Sequence, residues 1–128
     1  MTGIRFKDGV LPIRVLAPAG VRLLGALDGL ARRFGHDLTI TCADKEHPPT
    51  DPHSTGEAFD VRTHDLNAAT KQAILHELLI DLSDNPLDDV PTPVSIGLAT
   101  KRFYAQLENP GQPNEHLHCQ RRNRTVYP

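Results

Sequence analysis

Tryptophan is absent from this 128-residue chain and aromatic residues make up only 5% of it, so its core must be built mainly from aliphatic side chains. Two cysteines, Cys42 and Cys119, are too few for a disulfide-stapled scaffold. They are either buried thiols or one optional bridge. No apolar run approaches the ~20 residues of a membrane-spanning helix, and Pro12 and Pro18 interrupt the most apolar part of the N-terminal segment. The N-terminus also lacks the charged and apolar regions of a secretory signal. The expectation is a chain that is cytoplasmic as synthesised, with delivery to any substrate outside the membrane left to another system. Charge of one sign is missing too: 14 Lys plus Arg against 16 Asp plus Glu give a formal charge of -2. No global basic field draws the chain to nucleic acid or an anionic membrane, and neither partner is expected. A local basic cluster remains at Arg121, Arg122 and Arg124.

What is present suffices for one domain, residues 1–128, expected to be a monomer: the hydrophobic content is 38% and the apolar positions are grouped rather than scattered. Leu23, Leu27, Leu30 and Phe34 recur at helical intervals, with Arg32 and Arg33 in the last turn and Gly35 as a left-handed cap, which predicts a first helix over 21–34. A second helix runs from a cap at Asn67 to Leu82, with the stripe Leu75, Leu78, Leu79 and Leu82. Short β-branched or alternating stretches predict strands at 38–42, 57–62, 101–107 and 116–120, with the last two antiparallel to one another. Ile13–Leu16, between two prolines, fits an edge strand or an extended arm. Residues 44–52 and 83–95 read as loops, the second acidic and proline-rich and a candidate border for a cleft. The fold class expected is α+β, a small mainly antiparallel sheet with two helices on one face.

Strand parity brings chemistry to the other face. Phe59 and Val61 point one way along 57–62, so Asp60 points the other. Along 116–120 the core takes Leu117 and Cys119, which leaves His116, His118 and Gln120 on the polar side. His53, Asp60 and His118 would supply two imidazoles and one carboxylate, a ligand set for a hydrolytic zinc ion that keeps a fourth position for water. Glu115 is the candidate general base on that water. Because an unbroken strand would turn Glu115 away from His118, this role requires it to lie on the bend after Asn109–Asn114. His116 could bond a developing oxyanion, and Lys45 or Arg62 could stabilise that oxyanion or hold a substrate carboxylate. Each residue also has an ordinary reading: Asp60 a solvated carboxylate, Gly56 a turn glycine, Lys45 a surface lysine, Arg62 a partner for a surface acid. His36, His64 and His76 are read as structural, and His47 is left open.

The order and spacing resemble those of the zinc D-alanyl-D-alanine carboxypeptidases and their phage endolysin relatives, including L-alanyl-D-glutamate endopeptidases, whose fold is shared with hedgehog signalling domains. The resemblance covers residues 39–120. Its first motif is His53, Gly56, Ala58 and Asp60, its second is Glu115 with His118, and the His116–His118 pair is similar to the His-x-His of lysostaphin-like peptidases. It implies a hedgehog/DD-peptidase fold, a zinc cofactor on His53, Asp60 and His118, Glu115 as base, and hydrolysis of peptidoglycan stem peptides by a D-amino-acid carboxypeptidase or an endopeptidase. A catalytically silent zinc-containing binding domain of the same fold is the alternative. The chain departs from the family pattern at Asp51, where Ser is common, at Gln120, where Glu is common, and at Lys45, the nearest cation where an Arg on the preceding loop is usual.

Overall fold

Pro18 begins a helix. The computed structural model describes residues 2–45, 47–85, 87–94 and 97–122. In it α1 runs over Pro18–Phe34, three residues longer than the periodicity alone predicts. Proline suits this first position because its missing N–H is one that an α-helix leaves unbonded anyway. The apolar stripe is as expected, with Leu23, Leu27, Leu30 and Ala31 buried, and Gly35 closes the helix in the left-handed region at φ 65°. In α2 (Ala68–Leu82) the Asn67 side chain accepts a hydrogen bond from the Thr70 backbone N–H at 2.8 Å, the expected cap.

Seven strands make one sheet: β1 (Ile4–Phe6), β2 (Leu38–Cys42), β3 (Ala58–Arg62), β4 (Thr92–Pro93), β5 (Leu98–Ala99), β6 (Phe103–Glu108) and β7 (His116–Arg121). Their spatial order is β1-β2-β3-β7-β6-β5-β4, antiparallel throughout except for β1 with β2. The protein is therefore a small α+β structure with a mostly antiparallel sheet and two helices. Of the two readings of Ile13–Leu16 the structure shows the extended arm, and an edge strand of the sheet is formed by Ile4–Phe6. The backbone N–H groups of Arg14 and Val15 are taken by the Asp44 carboxylate at 2.8 and 2.9 Å, so that segment has side-chain acceptors where a strand would need a ladder. Within 83–95, expected as loop, β4 forms the sheet edge two strands beyond β6.

Both helices join a single aliphatic core with Leu38, Ile40, Phe59, Val61, Phe103, Ala105, Leu117 and Cys119 of the sheet. Burial of each large side chain contributes roughly 1.5–3 kcal/mol, which is enough to fix strand parity. Cys42 and Cys119 are not joined by a disulfide. Among the described residues no helix is long and apolar enough to cross a membrane. Arg124 of the basic cluster lies outside the described residues.

Candidate metal centre

Pairing in the middle of the sheet writes a grid on the face away from the helices. Arg62, His116 and Glu108 form one row across β3, β7 and β6; Asp60, His118 and Gln106 form the next; Ala58, Gln120 and Tyr104 form the third. Side chains directly opposite one another on neighbouring strands stand about 5 Å apart at Cβ, so the grid gathers polar groups over a small area. His53 is added from the turn that precedes β3.

That turn is held by Gly56. Its φ of 75° is left-handed, and a Cβ there would lie 2.5 Å from the Val15 carbonyl oxygen and 2.7 Å from the Leu16 Cα. In return the Gly56 carbonyl oxygen accepts from the Ala17 N–H at 3.2 Å, at the start of α1. Gly56 thus allows the His53 turn and the approach to α1 to pack backbone against backbone.

The ligand atoms of His53, Asp60 and His118 all lie within 4.8 Å of one another. His53 Nε2 is 3.2 Å and His118 Nδ1 2.9 Å from the same oxygen, Asp60 Oδ1. The far nitrogen of each ring is also engaged. His53 Nδ1 is 2.9 Å from Asp51 Oδ1, and His118 Nε2 is 2.8 Å from Gln120 Oε1. The Gln120 amide nitrogen donates to the Arg121 carbonyl, so its oxygen is the atom turned to His118. A carboxylate and an amide oxygen only accept, so neutral rings with their hydrogens on His53 Nδ1 and His118 Nε2 satisfy both outer contacts. The inner nitrogens then present lone pairs to Asp60. Three acceptors converge with no donor among them, an arrangement that a cation satisfies.

Without a metal the electrostatics favour protonated rings that donate to Asp60. Burial disfavours the charged imidazolium at His53 and His118, but hydrogen bonding and attraction to Asp60 prevail, and both pKa values are raised. Burial opposes the Asp60 carboxylate as well, yet its hydrogen bonds to His118 and His53 hold it well below the usual range. A tetrahedral zinc ion with bonds of about 2.0–2.1 Å would separate its ligands by about 3.3 Å, close to the 3.2 and 2.9 Å that His53 and His118 keep from Asp60. Beside the triad, Gln106 buries its amide oxygen without a hydrogen-bond partner. The donor set and this orphaned acceptor fit a divalent ion.

The remaining candidates divide. His116 joins the site face, with Nε2 3.2 Å from Glu108 Oε1 and 3.7 Å from Asp60 Oδ2. Arg62 lies opposite His116 and, with Lys7, Thr41 and His64, lines a cavity of about 350 Å³ beside it. Lys45 is not at the site: its Nζ donates to the Gly9 and Leu11 carbonyls, both at 2.8 Å, and ties the N-terminal arm to the loop. Glu115 lines the cavity beside His116 as well, but its carboxylate is engaged from the helix side and stands outside the triad. It precedes β7 but keeps the strand's parity, sharing the face of Leu117 and Cys119, and is almost fully buried. Its oxygens receive hydrogen bonds from Lys71 of α2, Thr63 and the Gly111 N–H, which lower its pKa to about 2. Among the described residues Glu115 joins no metal-competent cluster.

The sequence reading missed Glu108 because it ended the β6 strand at Leu107; extending the hairpin register by one residue sets Glu108 opposite His116. Asp51, marked only as a departure, and Gln120, placed by parity on the site face, orient the two imidazoles. His47, left open, stacks on His53 with ring centroids 4.2 Å apart and contacts the Cys42 thiol through Nε2 at 2.7 Å. No protein-family model, curated protein or solved structure compared with the chain matches it.

Proposed function

We propose that the chain is a zinc-dependent peptidase of the hedgehog/DD-peptidase fold acting on peptidoglycan stem peptides, as a D-amino-acid carboxypeptidase or an endopeptidase. The observation that supports it is the convergence of His53 Nε2, His118 Nδ1 and Asp60 Oδ1 with both outer ring nitrogens already bonded. The substrate class comes from the motif resemblance, because a fold and a metal site do not by themselves name a substrate. Zinc on this triad would act as a Lewis acid on a peptide carbonyl and lower the pKa of a coordinated water.

The chain's own residues supply the rest. Asp51 and Gln120 hold the tautomers that leave the inner nitrogens bare. Arg62 sets a permanent positive charge over the cavity beside His116, suited to a substrate carboxylate. Glu115 lines the same cavity as Arg62 and His116, but its carboxylate is engaged by Lys71 and would have to be released before it could take a proton. That last point favours a second reading, a zinc-containing binding domain without hydrolysis. Incubating the zinc-loaded chain with peptidoglycan fragments, with and without chelator, and following new amino groups separates the two. Chelator-sensitive release supports the peptidase, whereas binding of fragments without release supports the silent domain.

A further inference from the structure

The site face offers a second set of ligands. His116 Nδ1 lies 2.9 Å from the Asn114 carbonyl oxygen, which can accept the ring hydrogen, and in that tautomer Nε2 presents a lone pair. That lone pair looks at Glu108 Oε1, 3.2 Å away, and at Asp60 Oδ2, 3.7 Å away. Once more three acceptors meet with no donor among them, and their ligand atoms all fall within 4.8 Å of one another.

Asp60 belongs to both groups through different atoms. Oδ1 faces His53 and His118, while Oδ2 faces His116. We propose that Asp60, Glu108 and His116 bind a second divalent cation, with the Asp60 carboxylate bridging the two ions. The proposal rests on the zinc triad as the first of them. Bridged pairs in hydrolytic sites hold their ions about 3.5–4 Å apart, and two carboxylates with one imidazole suit zinc, manganese or cobalt. All three side chains are only partly buried, which leaves coordination positions for water or substrate.

A third cluster, Cys42, His47 and His53, does not have the same standing. It would need a lone pair from His53, and with Nδ1 bonded to Asp51 the ring has only Nε2, which is turned to Asp60. A carboxylate can serve two ions, whereas a neutral imidazole has one lone pair to give. Glu108 and His116 are therefore the ligands that extend the centre.

The test is metal stoichiometry. The full chain, stripped with chelator, reconstituted with zinc and dialysed, is compared by elemental analysis with His116→Ala and Glu108→Gln, each checked for fold by circular dichroism. About two ions are expected in the wild type and about one in each variant. With manganese in place of zinc, the spectrum of an exchange-coupled pair should appear in the wild type and collapse to that of an isolated ion in His116→Ala. One ion in wild type and variants alike would overturn the second site and leave the triad standing. Two ions in all three would also overturn it, by placing the second ion elsewhere. No ion in the wild type would bring down the triad and the bridge together.

Discussion

Asp51 Oδ1 lies 2.9 Å from His53 Nδ1 and also accepts the His53 backbone N–H at 2.8 Å, so one carboxylate oxygen fixes both the ring and the turn that carries it. The same orienting job on His118 falls to Gln120. Partners of this kind set the tautomer of a metal-bound imidazole and raise its basicity. Asp51→Ala and Gln120→Ala should each weaken zinc binding by about 10–100-fold, the usual cost of removing such a partner. Competition with a chromophoric chelator measures this, and unchanged affinity in both variants would mean the rings are held by other contacts.

The pH dependence of the site has opposite signs with and without metal. His53 and His118 have raised pKa values, so the stability they give the metal-free chain is complete below about 6.5 and is lost as pH rises through their folded values. The lowered Asp60 contributes above about 4 and loses its contribution only in strong acid. A metal must displace the imidazole protons, so its affinity increases with pH over the range where the apo protein weakens. Thermal melts of stripped and zinc-loaded protein from roughly pH 5 to 8 should show a widening gap. A gap that narrows would contradict the assigned protonation.

Glu115 and Lys71 form a buried ion pair at 2.8 Å under the sheet. Glu115→Ala leaves Lys71 without its charge partner and should cost about 3–5 kcal/mol of stability. Zinc content should be unaffected, because neither residue belongs to a metal-competent cluster. With its pKa lowered to about 2, the Glu115 contribution is present above about 4.5 and fades as pH falls through about 2. Denaturant unfolding and metal analysis check both halves, and an assay of peptidoglycan-fragment hydrolysis is run beside them; loss of hydrolysis at unchanged stability and zinc content would return Glu115 to the active site.

Gly56 and Gly25 make a contrasting pair. At Gly56 an added Cβ meets the φ of 75° and backbone atoms at 2.5–2.7 Å, so Gly56→Ala should cost more than the ~1–2 kcal/mol of the left-handed conformation alone. At Gly25, inside α1, the added Cβ meets nothing within 4 Å, and Gly25→Ala should stabilise by about 0.8–1 kcal/mol. Melting temperatures moving in opposite directions are the expected result.

Local rules were readable wherever periodicity or capping carried the information. The stripes of α1 and α2, the Asn67 cap, the Gly35 terminus and the alternation along β3 and β7 all follow from side-chain size and polarity at spacings of 3.6 and 2. Parity in two strands also directs Asp60 and His118 away from the core, whereas His53 was joined to them by the motif resemblance. Pro18 interrupts an apolar stretch yet also starts α1, because proline suits a first helical turn, and Ile13–Leu16 takes the extended-arm alternative because Asp44 replaces its ladder partners.

Tertiary structure decided the second half of the site. Glu115 has the family spacing to His118, yet whether it reaches the metal depends on where the bend before β7 relaxes strand parity. Lys71 and Thr63, distant in sequence, hold it on the helix face instead. Glu108 becomes a neighbour of His116 only through the β6–β7 register, and Asp60 becomes a candidate bridge only because β7 sets His116 and His118 on its two sides. Spacing along a chain specifies which face of a strand a residue takes. Which other strand or helix meets it there is fixed by long-range pairing, and that information is not local.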